Sequence, residues 1–223
     1  MSMLSNLELI RRVPLFALLT ASQAESVANA VVKRRFKRGE VIVEQGEKSN
    51  TLFIILTGRI RVVTSDKRGR EVILATLQPG DYIGEMSLID NESHSATVRA
   101  EVQTDMLALG RAEFARCLPE NSSMAYAIMK GLVQRLRQAD RKIESLALMD
   151  VYGRVARALL EFAVPDKEGL MSIRDRISRQ DIAKMVGASR EMVSRVMKDL
   201  EERGVIETQE NGSVIIKERL SND

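Results

Sequence analysis

The spacing of apolar residues changes along the chain, and each spacing predicts a different kind of element. Residues 3–19 form a short amphipathic segment that ends near a proline. The next helix is predicted over Thr20–Val32, because Thr20 and Gln23 have the spacing of a capping box. Its apolar stripe consists of Ala24, Val27, Ala28 and Val31. We expect both helices to pack on the domain that follows.

From Phe36 onward, short runs rich in valine and isoleucine alternate with polar residues and glycines. Such runs between turn residues are typical of strands, and Asp66–Gly69 has the composition of a hairpin tip. The predicted strands are Val41–Gln45, Leu52–Leu56, Ile60–Thr64, Val72–Leu77, Ala96–Ala100 and Met106–Gly110. Many short strands at regular intervals indicate an antiparallel sandwich, barrel or jelly roll, which can enclose a small ligand.

A long helix is predicted over residues 118–148, starting next to Pro119. Its apolar residues have the alternating four- and three-residue spacing of a coiled-coil seam. The predicted dimer-interface residues are Ile128, Leu132, Leu136, Ala139, Ile143 and Leu146. A single helix lying on a core would give a similar stripe. We favour a homodimer, because a two-fold protein matches a palindromic DNA site.

Residues 178–203 have the pattern of a helix-turn-helix. Ser178 and Ser189 are placed to cap its two helices, and Gly187 lies where the turn needs a positive φ. The apolar stripe of the second helix is predicted to be Met192, Val193, Val196, Met197 and Leu200. The opposite face carries Arg190, Glu191, Arg195 and Lys198. This charged face is typical of a helix that reads the major groove, although a solvated face on a helical hairpin is the alternative.

A β-hairpin is predicted directly after the second helix of this motif. Gly204 is placed to end that helix, and Asn211-Gly212 is a strong hairpin turn signal between two short apolar runs. A helix over residues 151–162 precedes the motif. Together these elements predict a winged helix-turn-helix from residue 149 onward.

Composition excludes several classes of function. The 223 residues carry a formal net charge of +3, and residues 174–198 contain seven Lys or Arg against three Asp or Glu, which concentrates positive charge on the predicted DNA reader. One cysteine and one histidine are too few for an internal disulfide or a zinc site of four cysteines. No apolar run is long enough to cross a bilayer. We therefore expect a cytoplasmic protein that is not an enzyme, has no catalytic or metal site, and has no membrane partner.

The order of β-roll, long helix and winged helix-turn-helix resembles the bacterial cyclic AMP receptor protein and FNR (Crp-Fnr) superfamily over nearly the whole chain. Three passages carry the resemblance: PGDYIGEMSLI (79–89), LALMDVYGRVARALL (146–160) and SRQDIAKMVGASREMVSRVMKDLE (178–201). They are similar to the family's phosphate-binding cassette, its interdomain hinge and its DNA reader. The resemblance implies a homodimeric transcription regulator that binds double-stranded DNA and RNA polymerase.

The resemblance also assigns DNA-contacting residues. It places Arg190, Glu191 and Arg195 at base-reading positions, and arginine and carboxylate side chains suit guanine and cytosine edges. We therefore expect half-sites like TGTGA. The positions that contact phosphates, which set register without reading sequence, are Ser178, Arg179, Gln180 and Ser189.

The effector site departs from the family pattern. Gly84 and Glu85 are retained, and the family's glutamate meets a ribose hydroxyl. The family's phosphate-binding Arg-Ser pair is replaced by His94-Ser95. A neutral imidazole is a poor substitute for a guanidinium at a phosphate. It would bind phosphate only when protonated, and an exposed loop histidine is the alternative.

On the long helix, the family's adenine-contacting Thr-Ser pair is replaced by Ala139-Asp140, while Arg135 is retained at a position that can contact Glu85. A carboxylate suits the N–H edge of guanine. The residues predicted to bind an effector are Gly84, Glu85, His94, Ser95, Arg135 and Asp140. No cofactor is required, and the effector is predicted to be a cyclic nucleotide or dinucleotide, with cyclic di-GMP favoured over cyclic AMP.

The predicted fold class is α+β. Residues 1–117 form a cyclic nucleotide-binding-like β-roll with N-terminal helices, residues 118–148 a dimerisation helix and hinge, and residues 149–223 the winged helix-turn-helix. Two alternatives for function remain: a regulator of the same family that needs no effector, and a nucleotide sensor whose output is a protein partner. Intact Arg190, Glu191 and Arg195 argue against the second.

Overall fold

The computed structural model describes residues 5–17, 19–117, 122–165, 170–174, 177–209 and 212–217. It divides into two compact units, Met1–Leu136 and Arg137–Asp223. The division falls inside the long helix, whereas the sequence predicted boundaries at residues 117 and 148. Two predicted features, Pro119 and Asn211, lie outside the described residues.

Short helices precede the β-roll, as predicted. They are α1 (Asn6–Ile10), a 3₁₀ turn (Pro14–Phe16) and α2 (Ala21–Ala30). α2 begins at the predicted capping box: the Thr20 side chain accepts from the Gln23 N–H, and the Gln23 side chain accepts from the Thr20 N–H.

The β-roll consists of two antiparallel four-stranded sheets, in agreement with the predicted fold class. Its strands are β1 (Val32–Phe36), β2 (Val41–Val43), β3 (Thr51–Thr57), β4 (Ile60–Ser65), β5 (Glu71–Leu77), β6 (Tyr82–Ile83), β7 (Thr97–Ala100) and β8 (Thr104–Gly110). One sheet has the order β1-β8-β3-β6, and the other has the order β2-β7-β4-β5. The β4–β5 hairpin turns at the predicted tip, where the Asp66 carboxylate accepts from the N–H groups of Arg68 and Arg70.

Two strands of the roll have no signal in the sequence pattern. β1 lies at a sheet edge, and its first four residues are exposed, so it has no buried face to produce an apolar alternation. β6 contains only two residues. The predicted extension of the second helix to Val32 is therefore wrong, because that residue begins β1.

Two cores support the roll. One packs the N-terminal helices against the sheet that contains β3 and β8, and the other contains residues from both sheets, including Ile55, Ile60, Val98 and Met106. α3 (Glu85–Asp90) follows β6, and α4 (Arg111–Cys117) follows β8; neither was predicted. The long helix α5 (Ser122–Leu148) contributes Met124 and Ile128 to the first core.

The second unit contains the predicted winged helix-turn-helix. Its helices are α6 (Val151–Phe162), α7 (Arg179–Val186) and α8 (Arg190–Glu202). Its sheet has the order β11-β12-β10-β9, with β9 (Val164–Pro165), β10 (Met171–Ile173), β11 (Ile206–Thr208) and β12 (Val214–Ile216). The β11–β12 hairpin is the wing. Gly204 follows α8 with a φ of 72°, as expected of a C-terminal cap. Within the described part of the chain, no helix combines the length and the apolar character needed to cross a bilayer.

Candidate functional site

The starts of α7 and α8 and the turn between these helices are formed by the two capping serines and the glycine that the sequence indicated. The Ser178 Oγ accepts from the Asp181 N–H at 3.0 Å, and the Ser189 Oγ accepts from the Met192 N–H at 3.2 Å. Gly187 has a φ of 64°, which side chains rarely tolerate. Both caps and the turn glycine are therefore confirmed.

The buried sides of α6, α7 and α8 share one core. Its most buried members include Val155, Leu159, Ile182, Ala183, Val193 and Leu200. Because this core fixes the rotation of α8 about its axis, it also decides which α8 residues are presented to solvent.

The three predicted base-reading residues, Arg190, Glu191 and Arg195, are all exposed in the first two turns of α8. The pKa of Glu191 is held below its usual value, first by a hydrogen bond from its own backbone N–H and next by one from the Ser189 side chain; the positive charges of Arg190 and Arg195 act in the same direction. The carboxyl is therefore ionised at neutral pH. α8 thus presents two guanidinium donors and one carboxylate acceptor, which are the groups that read guanine and cytosine edges.

Met192 does not follow the sequence prediction. The apolar pattern placed it in the buried stripe, but its side chain is 45% exposed, whereas Val193 is fully buried. The reason is geometric: the core-facing stripe of α8 is centred on Val193, Met197 and Leu200, and Met192, rotated by about 100° from Val193, lies at the edge of that stripe. The prediction that Met192 is buried is therefore wrong, and this residue lies on the exposed side of α8.

The residues predicted to contact phosphates lie at the starts of α7 and α8. Ser178, Gln180 and Ser189 are exposed. Arg179 is partly buried and lies 3.9 Å from the Glu201 carboxylate. A cap uses an oxygen lone pair, so the Ser178 hydroxyl can still donate to a phosphate oxygen.

In the first unit, Gly84 starts α3 in a conformation that requires glycine. Its φ is 89°, and a Cβ at this position would lie 2.4 Å from the carbonyl oxygen of Thr51. Gly84 thus lets the chain pass close to β3 and turn directly into α3. This turn places the next residue, Glu85, in the protein interior, where it is 1% exposed.

Glu85 and Arg135 form the ion pair that the sequence anticipated, with the Arg135 Nη1 2.5 Å from the Glu85 Oε1. Arg135 also donates to the backbone carbonyl of Tyr82, and its guanidinium lies 5.1 Å from the centre of the Tyr82 ring. Burial raises the pKa of Glu85, and the charge of Arg135 opposes that rise. Within the described residues, the second oxygen, Glu85 Oε2, is buried and has no hydrogen-bond partner.

His94 is neither the exposed loop residue nor the available phosphate ligand that the sequence left open. It is 8% exposed, and its Nδ1 and Nε2 lie 3.1 Å from the Ser87 Oγ and 2.8 Å from the Ser49 Oγ. Burial lowers the pKa of the imidazole, which favours the neutral ring. Its neighbour Ser95 is exposed. The histidine therefore links α3 to the loop before β3 and has no ring nitrogen left for a phosphate.

The exposed apolar face of α5 differs from the predicted seam in its N-terminal half. Ile128 is 2% exposed and belongs to the core of its own unit, and Leu132 packs partly against the same core. Ile128 is therefore a core residue and not an interface residue. The large apolar residues that α5 exposes are Tyr126, Met129, Val133, Leu136, Ile143, Leu146 and Leu148. Ala139 and Asp140 are also exposed.

Sequence reasoning missed the residues that hold α5 against the roll. The Tyr82 Oη donates to the backbone carbonyl of Ile128 at 3.3 Å. A Cβ on Gly131 would lie only 2.1 Å from that hydroxyl oxygen, so the helix approaches the ring where it has no side chain. A glycine inside a helical pattern is a signal of such an approach. Ser49 and Ser87, the partners of His94, carry no comparable signal.

Comparison with known proteins matches the β-roll and the winged helix-turn-helix to two separate domain families. The cyclic nucleotide-binding domain family matches residues 33–121, and the Crp-like helix-turn-helix domain family matches residues 153–220. The chain is 35% identical over 196 residues to the cAMP-activated global transcriptional regulator Vfr of Pseudomonas aeruginosa, covering 84% of this chain and 90% of Vfr. It is 33% identical over 178 residues to the cAMP-activated global transcriptional regulator CRP of Salmonella typhimurium, covering 77% of this chain and 83% of CRP.

Among solved structures, the c-di-GMP responsive global regulator CLP of Xanthomonas campestris is similar, with a TM-score of 0.76 and 25% sequence identity, over 88% of this chain and 99% of CLP. Two domain matches in this order, together with 35% identity to a regulator over most of its length, agree with the capped helix pair and the exposed charges of α8. The chain belongs to the Crp-Fnr family of DNA-binding transcription regulators.

Proposed function

We propose that the protein is a homodimeric regulator that binds palindromic DNA through α8 and is controlled by a cyclic nucleotide-type effector bound at the β-roll and α5. The observation that carries the DNA-binding half of this proposal is the exposed Arg190, Glu191 and Arg195 on a helix that is capped and fixed by its own core. The effector half rests on the buried acceptor of Glu85.

The base-reading assignment follows from the chemistry of the α8 face. Arginine can donate two hydrogen bonds to guanine O6 and N7, and an ionised carboxylate accepts from cytosine N4. The half-sites in this proposal are similar to TGTGA, as the resemblance of these three positions to the family's base-reading residues implies. Ser178, Arg179, Gln180 and Ser189 set register by contact with phosphates.

The dimer in this proposal forms along the exposed apolar face of α5. Leu136 and Ile143 are 62% and 65% exposed, and they lie one heptad apart on a helix that exposes other large apolar side chains before and after them. A continuous apolar face of this kind needs a partner. The partner is a second copy of this chain, because two recognition helices are needed to bind the two halves of a palindrome.

The dimer has a direct test. Leu136→Glu places a charge on the seam, and we expect it to convert the protein to a monomer in light scattering after size exclusion. Val102→Glu is the matched control, because that valine is also exposed, at 39%, but lies outside α5. Monomeric wild-type protein, or two variants that behave alike, would contradict this interface.

The predicted effector site is suited to one of the family's ligand contacts, the one to a hydroxyl group, but not to the other, the one to a cyclic phosphate. Glu85 Oε2 is a buried acceptor without a partner among the described residues, which suits a ligand hydroxyl. Burial lowers the pKa of His94, which favours its neutral form, and both ring nitrogens are hydrogen-bonded, so His94 does not supply the cation that the family's arginine offers to a cyclic phosphate. The hydroxyl-binding part of the site is thus retained, and the phosphate-binding part is not.

Within this proposal, cyclic di-GMP is favoured over cyclic AMP. Asp140 is exposed on α5 and offers carboxylate oxygens to the N–H edge of guanine, whereas Ala139 has no side-chain hydrogen-bonding group. Relatives respond to either class: Vfr and CRP are cAMP-activated, and CLP is c-di-GMP responsive. Binding would shift the population toward a DNA-competent state only if the effector prefers that state.

Calorimetry with cyclic AMP, cyclic GMP and cyclic di-GMP tests the effector. We expect cyclic di-GMP to bind most tightly, Asp140→Ala to weaken it, and the matched control Glu144→Ala, one turn further along α5, to leave it unchanged. Tighter binding of cyclic AMP would refute the preference. Three flat titrations would favour a regulator without an effector, and a gel shift on a TGTGA palindrome tests DNA binding separately.

A further inference from the structure

One apolar side chain stands among the charged groups on the exposed face of α8. Met192 is 45% exposed, while the other apolar residues of this helix are buried or partly buried. It follows Glu191 directly and precedes Arg195 by three residues. Residues three apart on a helix are neighbours on its surface, so Met192 lies beside Arg195. A duplex that contacts Arg195 and Glu191 therefore also meets Met192.

The chemistry of the thioether limits what Met192 can recognise. It has no hydrogen to donate to a phosphate oxygen or to a base acceptor, and its sulfur is only a weak acceptor. In the major groove, the base pairs present donors and acceptors and one apolar group, the 5-methyl of thymine. Among base edges, the partner that suits methionine is therefore thymine. Methionine is also flexible enough to adapt to such a contact.

We propose that Met192 is a specificity-determining residue, which selects a thymine within or directly beside each half-site by contact with the 5-methyl group. This inference rests on the proposed reading of bases by α8. It adds an apolar contact to a reader whose other assigned groups form hydrogen bonds. It also explains why an apolar residue is exposed at this position.

The test removes the methyl group from the DNA. Sequences bound by the full-length protein are first selected from random duplexes, without effector and with cyclic di-GMP or cyclic AMP as probes. Each thymine of the selected site is then replaced by deoxyuridine, one position at a time, and binding is measured by fluorescence anisotropy. For the wild type we expect one position per half-site at which uracil weakens binding about fourfold, which corresponds to burial of one methyl group at ~0.8 kcal/mol.

The same series is measured with Met192→Ala and Met192→Leu. The alanine variant should bind the thymine and uracil duplexes equally at that position, and the leucine variant should retain the difference. Lys198→Ala is a matched control on the same exposed face: we expect it to leave the uracil effect intact. Unchanged thermal unfolding of Met192→Ala would confirm that its fold is preserved, as its exposure implies.

Two results would overturn the inference while DNA reading by α8 stands. One is a wild type that is insensitive to uracil at every position, and the other is an equal uracil effect in Met192→Ala. Absence of sequence-specific binding to unmodified DNA would instead refute the proposed base reading, and this inference with it.

Discussion

The burial of the Glu85–Arg135 pair predicts how much stability the protein loses when either partner is replaced. Arg135→Met keeps most of the apolar stem and removes the charge, and Glu85→Gln removes the opposite charge and keeps the shape. Glu85 is 1% exposed, whereas the Arg135 side chain is 34% exposed. Water can therefore solvate an unpaired Arg135 but not an unpaired Glu85. We therefore expect Arg135→Met to cost more stability than Glu85→Gln.

The magnitude follows from this asymmetry. Removing one partner of a fully buried pair costs roughly 3–5 kcal/mol. Because Arg135 is partly exposed, solvent screens the attraction that is lost, and the cost of Arg135→Met falls to about 2–3 kcal/mol. Glu85→Gln leaves an amide oxygen that still accepts from the guanidinium, so its cost is about 1 kcal/mol. The double variant should be more stable than the sum of the single changes implies, because it leaves no buried charge.

The loss in Arg135→Met should depend on pH. Burial raises the pKa of Glu85 above its ordinary value, and Arg135 opposes that rise, so removal of Arg135 raises the pKa further. A carboxyl with a raised pKa takes up a proton more readily when folded than when unfolded. Its protonated form is therefore favoured at low pH, and the variant should lose stability as the pH rises through the pKa of the folded state.

Hydrogen exchange followed by mass spectrometry can isolate the first unit in the full-length protein. Peptides that cover Thr51–Thr57 and Thr104–Gly110 report opening of the roll, and peptides from Arg190–Glu202 serve as the internal control. At pH 7 the roll peptides of Arg135→Met should exchange much faster than those of the wild type, and the difference should shrink toward pH 5. Equal losses for the two single variants, or a loss in Arg135→Met that does not change with pH, would refute the reasoning.

Three other predictions concern the reader, the histidine and the long helix. Arg190→Ala should weaken specific binding by roughly 1–3 kcal/mol and relax the preference at one base pair; a competition gel shift in which binding to unrelated DNA falls equally would contradict this. Because burial lowers the pKa of His94, the unfolded chain binds a proton first, so the first unit should lose stability as the pH falls below 6.5; urea unfolding at pH 7.5 and 5.5 checks this, and His94→Gln should remove the dependence. Gly131→Ala should destabilise the first unit by about 1–3 kcal/mol through overlap with the Tyr82 hydroxyl; thermal unfolding should show recovery when Tyr82→Phe is added, and no recovery would place the strain elsewhere.

Features encoded by a few neighbouring residues could be predicted from the sequence. A capping serine and the N–H that it bonds lie within three residues of each other, so Ser178 and Ser189 could be assigned without knowledge of the fold. The hairpin tip at Asp66 is equally local, because the N–H groups that its carboxylate binds lie within four residues.

Features that depend on distant parts of the chain could not be predicted from local patterns, and the Glu85–Arg135 pair was anticipated only through the family resemblance. The burial of His94 depends on Ser49, which lies 45 residues earlier. Whether Ile128 or Met129 faces outward depends on which side of α5 the core of the roll occupies, and the spacing of apolar residues fits either choice. The exposure of Met192 could not be predicted for the same reason. An apolar residue next to a buried stripe fits the pattern of that stripe, and only the rotation of the helix about its axis decides whether it is buried.

The contact between Tyr82 and Gly131 restricts how α5 can move. A slide of the helix along its axis by one turn, about 5.4 Å, would bring Ala127 or Arg135 to the Tyr82 hydroxyl in place of a glycine. Either side chain would collide with it. A tilt centred on Gly131 leaves the contact in place while the ends of the helix are displaced. Tyr82 therefore acts as a pivot, and any rearrangement of α5 that preserves this contact is a rocking motion and not a translation.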